Sequence, residues 1–133
     1  MSIHIKHTLY KSKIINDTYY PNGNIEYEYF DNKFEVVMIK QYRDSGELYL
    51  STNVKNNKSQ GRAFTYYKNR NIYSDYNYKL NKRNGLCKGY YSNGKLSIEV
   101  IFRMGIALSG AYYKKNGFKS IMTSEQLARK SDK

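Results

Sequence analysis

The 133-residue chain has one cysteine, one proline and no tryptophan. Because Cys87 has no second cysteine, an internal disulfide and a cysteine-based metal site are excluded; we expect its thiol to pack as a small apolar group. The sequence has no run of 18 apolar residues, and residues 1–10 alternate polar and apolar side chains, so it shows neither a membrane span nor a signal peptide. We therefore expect a cytoplasmic protein in a reducing compartment.

Aliphatic residues are also scarce: Ile, Leu, Val and Phe make up about a fifth of the chain, near the level of disordered sequences. Sixteen tyrosines add ring surface, so the core is predicted to be aromatic. The length fits one domain or one repeat array.

The charge is strongly basic, with 23 Lys and Arg against 11 Asp and Glu. Residues 1–47 hold 6 basic and 7 acidic side chains, whereas residues 48–133 hold 17 and 4. The excess therefore belongs to the last two thirds of the chain. Two interpretations stand: a surface that attracts an acidic partner, or a solubilising rim of turn residues that protects the sheet from aggregation.

An aromatic residue followed by polar residues recurs along the chain in five segments, and four of them end in glycine. The segments are 19–23, 42–46, 66–70, 90–94 and 112–117. Their last residues lie 23 or 24 positions apart, which indicates a repeat array. Apolar residues then recur at every second position, which predicts strands with one buried face.

The first turn of three units contains an Asn-Gly pair, at 22–23, 93–94 and 116–117. Such pairs predict two-residue hairpin turns in which both residues have positive φ. Arg70 replaces the glycine of the third segment, which predicts a looser turn or a left-handed arginine at a cost of about 1 kcal/mol. Second polar turns are predicted at 31–33, 55–60, 81–85 and 103–105.

Adjacent tyrosines occur before several turns, at 19–20, 66–67, 90–91 and 112–113. Neighbours in a strand point to opposite faces, so one tyrosine of each pair is predicted to pack inside and the other to face outward. The outward rings would form a ladder. It either stabilises a thin sheet by cross-strand packing or, beside Lys and Arg, forms a contact surface.

These segments resemble the MORN repeats, and more closely the shorter variant of bacterial proteins. The resemblance rests on the aromatic-aromatic-x-Asn-Gly turn, the aliphatic and acidic strand of residues 94–99, and the later glycines Gly85 and Gly105. It implies an all-β fold, an elongated, twisted antiparallel sheet of consecutive hairpins, here over residues 1–122. Arg70, the turn at 55–60 and the strand at 34–39 depart from the pattern. Members include modules proposed to bind lipid or to scaffold proteins, and bacterial antitoxin or immunity proteins.

The last segment, residues 123–133, differs in kind. Thr123 and Gln126 form a capping-box pattern, with an acidic residue in the first turn and basic residues in the last, so a short helix is predicted. We expect it to cap the final hairpin and cover an edge of the sheet, with Leu127 as the anchoring residue. Binding of a partner is the alternative role.

Few residues could carry catalysis. His4 and His7 would face opposite sides of a strand, so they share no metal. Glu26 and Glu28 share one strand face, with Glu35 as a candidate opposite them, and an acid–base pair is conceivable there. Their alternation with tyrosines is, however, typical of solvated carboxylates against buried rings. We therefore predict no enzyme activity, no metal and no cofactor.

The leading prediction is a small cytoplasmic immunity or antitoxin protein that binds and blocks a toxin with an acidic surface. Charge clustering selects its candidate contacts, which are Tyr67, Lys68, Arg70, Lys82, Arg83 and Tyr91. Nucleic-acid binding on a basic aromatic sheet and peripheral attachment to an anionic membrane are the alternatives. Because an open sheet has two free outer strands, the oligomeric state stays open.

Overall fold

The protein is represented by a computed structural model that describes residues 13–14, 17–31 and 36–132. The predictions made for His4, His7 and Glu35, and those for residues 1–10 and 32–34, lie outside the described residues.

One open antiparallel sheet of thirteen strands makes up most of the described chain. The strands are β1 (Lys13–Ile14), β2 (Thr18–Tyr19), β3 (Ile25–Asp31), β4 (Val36–Tyr42), β5 (Leu48–Lys55), β6 (Lys58–Ser59), β7 (Gly61–Tyr66), β8 (Ile72–Lys79), β9 (Lys82–Arg83), β10 (Gly85–Tyr90), β11 (Leu96–Arg103), β12 (Ile106–Tyr113) and β13 (Lys119–Ile121). The helix α1 (Ser124–Lys130) follows.

Neighbouring strands pair in the order β1-β3-β4-β5-β7-β8-β10-β11-β12-β13, while the two-residue strands β2, β6 and β9 pair with β3, β5 and β8. The chain therefore runs back and forth as consecutive hairpins, and the all-β fold predicted from the repeat is confirmed. This path is what a regular spacing of turns and half-buried strands dictates, because each new strand finds its partner in the one just completed.

The turns that contain the repeated glycines are three-residue loops. In the first of them, the Gly23 amide donates to the Tyr20 carbonyl at 2.9 Å, and the Tyr20 amide donates to the Asn24 carbonyl at 2.8 Å. Gly23 has a φ of 90°, whereas Asn22 is not among the residues with positive φ. This is a type I turn followed by one left-handed residue. The predicted two-residue turn with two positive φ values was wrong.

Arg70 keeps the same turn despite its side chain. Its φ is 74°, and its amide donates to the Tyr67 carbonyl at 2.9 Å, as Gly23 does to Tyr20. Asn69 accepts a hydrogen bond from the Asn71 amide at 3.0 Å through its side-chain oxygen, which holds the loop from within. The turn is therefore not loosened, and the left-handed arginine is the form that occurs.

The opposite ends of the strands carry the turns with two positive φ values. The pairs, with their φ values, are Asn56-Asn57 (51° and 63°), Leu80-Asn81 (49° and 71°) and Met104-Gly105 (45° and 86°). Leucine rarely adopts a positive φ, so the pairing of the strands on either side of the turn imposes the left-handed conformation of Leu80. The turn predicted at 81–85 begins one residue earlier than expected, and Lys82 and Arg83 belong to β9.

The core lies on one face of the sheet near its C-terminal end. Its buried members are Cys87, Val100, Phe102, Ala107 and Met122. Tyrosines pack around this cluster and stay partly exposed, as Tyr76 and Tyr112 do. The predicted aromatic core is therefore corrected: the centre is aliphatic and sulfur-containing with one phenylalanine, and tyrosines form its rim.

The helix α1 begins with the predicted capping box. The Gln126 amide donates to the Thr123 hydroxyl at 3.2 Å, and the Thr123 amide donates to the Gln126 side-chain oxygen at 2.9 Å. Leu127 packs against the core as expected. The helix lies against β12, while Lys119–Ile121 of the outermost strand β13 stay exposed. The expectation that α1 covers an edge of the sheet was therefore wrong.

Candidate functional site

The two families of turns lie on two sides of the sheet. The first-turn side holds the loops at 20–24, 43–47, 67–71, 91–95 and 114–118, and the second-turn side holds those at 55–58, 79–82 and 103–106. An eight-residue strand such as β8 joins them, so they are roughly 25 Å apart at about 3.3 Å per residue.

The predicted contact residues divide between these sides. Four of them, Tyr67, Lys68, Arg70 and Tyr91, lie in two successive loops of the first-turn side. The other two, Lys82 and Arg83, form β9 on the second-turn side. The structure therefore brings four of the six together and separates the remaining pair from them by the length of a strand.

The hydroxyl groups of Tyr67 and Tyr91 bind backbone. Tyr67 donates to the Tyr90 carbonyl and Tyr91 to the Tyr113 carbonyl, both at 2.7 Å. Arg43 stands at the equivalent position of an earlier repeat and donates to the Tyr66 carbonyl at 3.0 Å. Each of these bonds connects one loop to the next repeat, so the tyrosine hydroxyls stabilise the packing of successive hairpins. The faces of the tyrosine rings remain available for contact with a partner.

The tyrosine pairs do not alternate strictly between the faces. The strand register shifts between Thr65 and Tyr66 and between Gly89 and Tyr90, because the paired strands carry an extra residue there, Tyr73 in β8 and Ser97 in β11. Both members of the pairs 66–67 and 90–91 are half-buried. The prediction of one buried and one outward ring was therefore wrong for these pairs.

Arg83 holds the C-terminal segment. Its Nη2 donates to the Lys130 carbonyl at 2.7 Å and to the Asp132 carboxylate at 2.6 Å. Its guanidinium carbon lies 4.4 Å from the centroid of the Phe102 ring. Arg83 therefore has intramolecular partners on three sides, whereas Lys68, Arg70 and Lys82 are exposed.

Lysines face each other on the second-turn side. Lys55 pairs directly with Lys58, and Lys79 with Lys82, across their turns. All four are exposed. The second-turn side therefore forms a concentrated positive surface. It does so at a cost in stability, because like charges directly opposite each other in a sheet are destabilising.

A groove of about 460 Å³ opens beside the first-turn side, and sequence reasoning missed part of it. Tyr49 and Tyr73 line it together with Tyr67 and Arg43. The Arg43 guanidinium carbon lies 4.9 Å from the Tyr49 ring centroid, and the Tyr67 and Tyr73 rings meet edge to face at 4.9 Å. Tyr49 and Tyr73 each stand three residues after the last turn residue, Gly46 or Arg70, and this shared offset was a readable signal.

A second groove, here called the apolar groove, lies on the face opposite the core. Its walls are Leu86, Ile101 and Ile121, and its volume is about 390 Å³. These side chains are 42%, 47% and 69% exposed. Leu86 pairs directly with Ile101 across β10 and β11. The sequence indicates this second apolar face through Ile101, an isoleucine that lies between the core-facing Val100 and Phe102 and therefore points to the opposite face.

Two carboxylates of the sheet, Glu28 and Glu99, accept hydrogen bonds from tyrosines. Glu28 is 1% exposed and accepts a hydrogen bond from the Tyr42 hydroxyl at 2.5 Å. Burial and this bond raise the pKa of Tyr42. Glu99 accepts a bond from the Tyr113 hydroxyl at 2.6 Å, which raises the pKa of Tyr113. Glu28 is therefore not the solvated carboxylate that its alternation with tyrosines indicated.

Nucleophilic and metal chemistry have little support in the described residues. Cys87 is 3% exposed, and burial raises the pKa of its thiol, which makes it a poor nucleophile at neutral pH. Within residues 13–14, 17–31 and 36–132, no three His, Cys, Asp or Glu side chains are grouped so as to hold a metal ion. In the same ranges, no helix is both long and apolar enough to span a membrane.

Comparisons with known proteins leave the family open. No family model and no curated protein matches the chain. Among solved structures, TarM matches with a TM-score of 0.47 at 13% identity over 74% of this chain. A mutant of S. aureus TarM in complex with Fondaparinux, alpha-GlcNAc-glycerol and UDP matches with a TM-score of 0.49 at 12% identity over 75% of this chain. The chain spans about a fifth of each of those chains.

Proposed function

We propose that this chain is a non-enzymatic protein-binding module, of the immunity or antitoxin kind that its repeats resemble, and that it acts in the cytoplasm on a partner with an acidic surface. One observation carries the proposal: a single-layer sheet exposes large apolar side chains beside lysines. Exposed apolar residues in a contiguous group are typical of protein interaction sites. Leu86, Ile101 and Ile121 form such a group.

Charge supports an acidic partner. The net charge of +12 would steer an acidic protein toward the sheet and accelerate encounter. Lys68 and Arg70 project from the first-turn side next to the tyrosine-lined groove. Aromatic rings beside arginine are typical of the residues that contribute most to binding energy at interfaces.

The test is recovery of the tagged protein from its native host at about 150 mM salt, where surface attraction is screened beyond about 8 Å. Size-exclusion chromatography with mass spectrometry should find one acidic protein at fixed stoichiometry, unaffected by nuclease. Expression of that partner alone should arrest growth, and co-expression of this chain should restore it. Recovery of no stable protein, or of a partner whose toxicity this chain does not relieve, would refute the immunity proposal.

A matched pair of variants tests the contact residues. Lys68→Glu with Arg70→Glu should weaken the partner complex by about tenfold or more, because two attractive charges become repulsive. Lys58→Glu with Lys79→Glu makes the same charge change on the other side of the sheet and should leave most binding intact. Equal effects of the two double variants would show that only net charge matters.

A second candidate function, nucleic-acid binding, is favoured by the opposed lysines of the second-turn side. Successive turns there lie two strands apart, or about 10 Å, so lysines could follow a phosphate backbone. Fluorescence polarisation with a labelled single-stranded oligonucleotide tests this. Binding that persists at about 150 mM salt and is lost on changing Lys58 and Lys79 to Glu would support it, and binding that vanishes at that salt would exclude a specific site.

A further inference from the structure

The outermost strand β13 has backbone groups that point away from its only described neighbour, β12. Phe118 accepts one hydrogen bond from the β12 side and Met122 donates one to it, both at 2.9 Å. Successive residues of an antiparallel strand direct their N–H and C=O groups alternately toward and away from the paired strand. Lys119 and Ile121 therefore direct these groups away from β12. Two donors and two acceptors are thus available for a further strand.

Natural sheets commonly protect an outer strand by keeping it short and by placing charged residues or proline in it. β13 is three residues long and carries one charged side chain, Lys119. Large apolar side chains are nevertheless exposed here: Ile121 is 69% exposed, and Phe118, directly before the strand, is 64% exposed. Ile121 also forms one wall of the apolar groove, so the outward backbone groups of β13 lie directly beside an exposed apolar surface.

The charge around β13 identifies the kind of partner that fits. Lys119 belongs to β13 and lines the apolar groove, and the Lys114 ammonium lies 5.8 Å from the centroid of the Phe118 ring directly before the strand. Two carboxylates of this region already have partners: Glu125 is bound to Arg129 at 3.1 Å, and Glu99, which also lines the groove, accepts a hydrogen bond from the Tyr113 hydroxyl. A second copy of this chain would bring the same positive charge, which opposes self-association. An acidic segment would meet complementary charge.

We propose that β13 is the docking site for an extended acidic segment of a protein partner, which adds to the sheet as a strand beside Lys119–Ile121. The inference rests on the proposed protein-binding function and names the surface that performs it. Main-chain hydrogen bonds to Lys119 and Ile121 supply affinity, and alternate apolar side chains of the segment enter the apolar groove. Its acidic side chains lie near Lys119 and its neighbouring lysines.

The probe is a fluorescein-labelled, acetylated hexapeptide of alternating Val and Glu, with alternating Val and Lys as the control. Fluorescence polarisation at about 150 mM salt should show the acidic peptide bound at least about tenfold more tightly than the basic one. Amide hydrogen exchange followed by NMR should show slower exchange at Lys119 and Ile121 in the complex. Unchanged exchange at both amides would overturn the proposal.

The decisive variant is Ile121→Pro, because proline removes an amide that points outward and leaves the bonds to β12 in place. It should lose at least about tenfold in peptide affinity, with an unchanged urea midpoint. Ile121→Glu keeps the amide but repels an acidic strand, so it should lose a similar factor even if the proline variant fails to fold. Ile121→Val is the matched control and should bind as the native chain does.

Two failures are distinguishable. If the host partner is retained equally by the native chain and by Ile121→Pro and Ile121→Glu, the protein-binding function stands and the assignment of β13 is wrong. If no host partner exists, the proposed function fails, whereas the amide exchange of Lys119 and Ile121 still decides whether β13 accepts an acidic strand.

Discussion

Replacing Arg83 with alanine should release the C-terminal segment from the sheet. The guanidinium donates to the Lys130 carbonyl and the Asp132 carboxylate and lies over the Phe102 ring. A net hydrogen bond to a carbonyl contributes about 1 kcal/mol, and a guanidinium over a ring about 0.5–1 kcal/mol. The ion pair is partly solvated, with side chains 21% and 35% exposed, so it adds less than about 1 kcal/mol. The expected loss is about 1.5–3 kcal/mol of unfolding free energy.

Urea unfolding followed by circular dichroism measures this loss directly. Arg83→Lys is the matched control, since it keeps the charge but lacks the planar fork that reaches two acceptors; it should recover roughly half of the stability. A double-mutant cycle with Asp132→Ala should give a coupling energy of about 0.5–1 kcal/mol, because the two side chains are in contact.

The Arg83→Ala variant also distinguishes a structural role of this arginine from the partner contact predicted for it. A loss of less than about 0.5 kcal/mol in Arg83→Ala would refute the argument from the three contacts, since surface substitutions commonly fall within that range. If Arg83→Ala kept its stability but no longer bound the partner, the main role of Arg83 would be contact with the partner.

Four further predictions concern other parts of the sheet. Arg70→Gly should raise the unfolding free energy by about 0.5–1 kcal/mol and Gly94→Arg should lower it similarly in thermal unfolding, because only glycine adopts the left-handed turn position without strain; equal stability would contradict the turn geometry. Gly110→Ala should cost about 1–3 kcal/mol by the same measurement, because the new methyl would lie 2.8 Å from a carbonyl oxygen and a methionine sulfur; a neutral effect would show a looser core. Cys87 should resist a thiol reagent at pH 8 until urea unfolds the chain, since burial raises its pKa; rapid native labelling would disagree. Burial raises the pKa of Tyr76 above its usual value near 10, so the folded state holds this proton more tightly and its stabilisation, present below about pH 10, should decline as pH rises further; urea midpoints that stay constant from pH 9 to 11 would count against this.

Much of the architecture was readable from local chemistry. The 23- and 24-residue spacing predicted consecutive hairpins because each turn must reverse the chain and each half-buried strand must pair. The Thr123 and Gln126 pattern predicted α1, since these side chains satisfy amides of their own helix.

Other features depended on contacts that a linear pattern does not reveal. Glu28 is buried because Tyr42 of the next strand donates to it. Bulges place an extra residue, Tyr73 or Ser97, opposite the ends of the strands that carry Tyr66 and Tyr90, and both members of each tyrosine pair are half-buried. The tyrosine-lined groove needed Tyr49 and Tyr73 from different repeats to come together.

The sequence by itself determined the repeat, the strand class and the capped helix, because these arise from interactions within about two dozen residues. Tertiary structure alone decided which side of each strand is covered. It placed α1 over β12 and left Ile121 and the outward amides of β13 exposed. The physical reason is that an alternating pattern states which residues share a face, whereas burial of that face depends on where a distant segment of the chain packs.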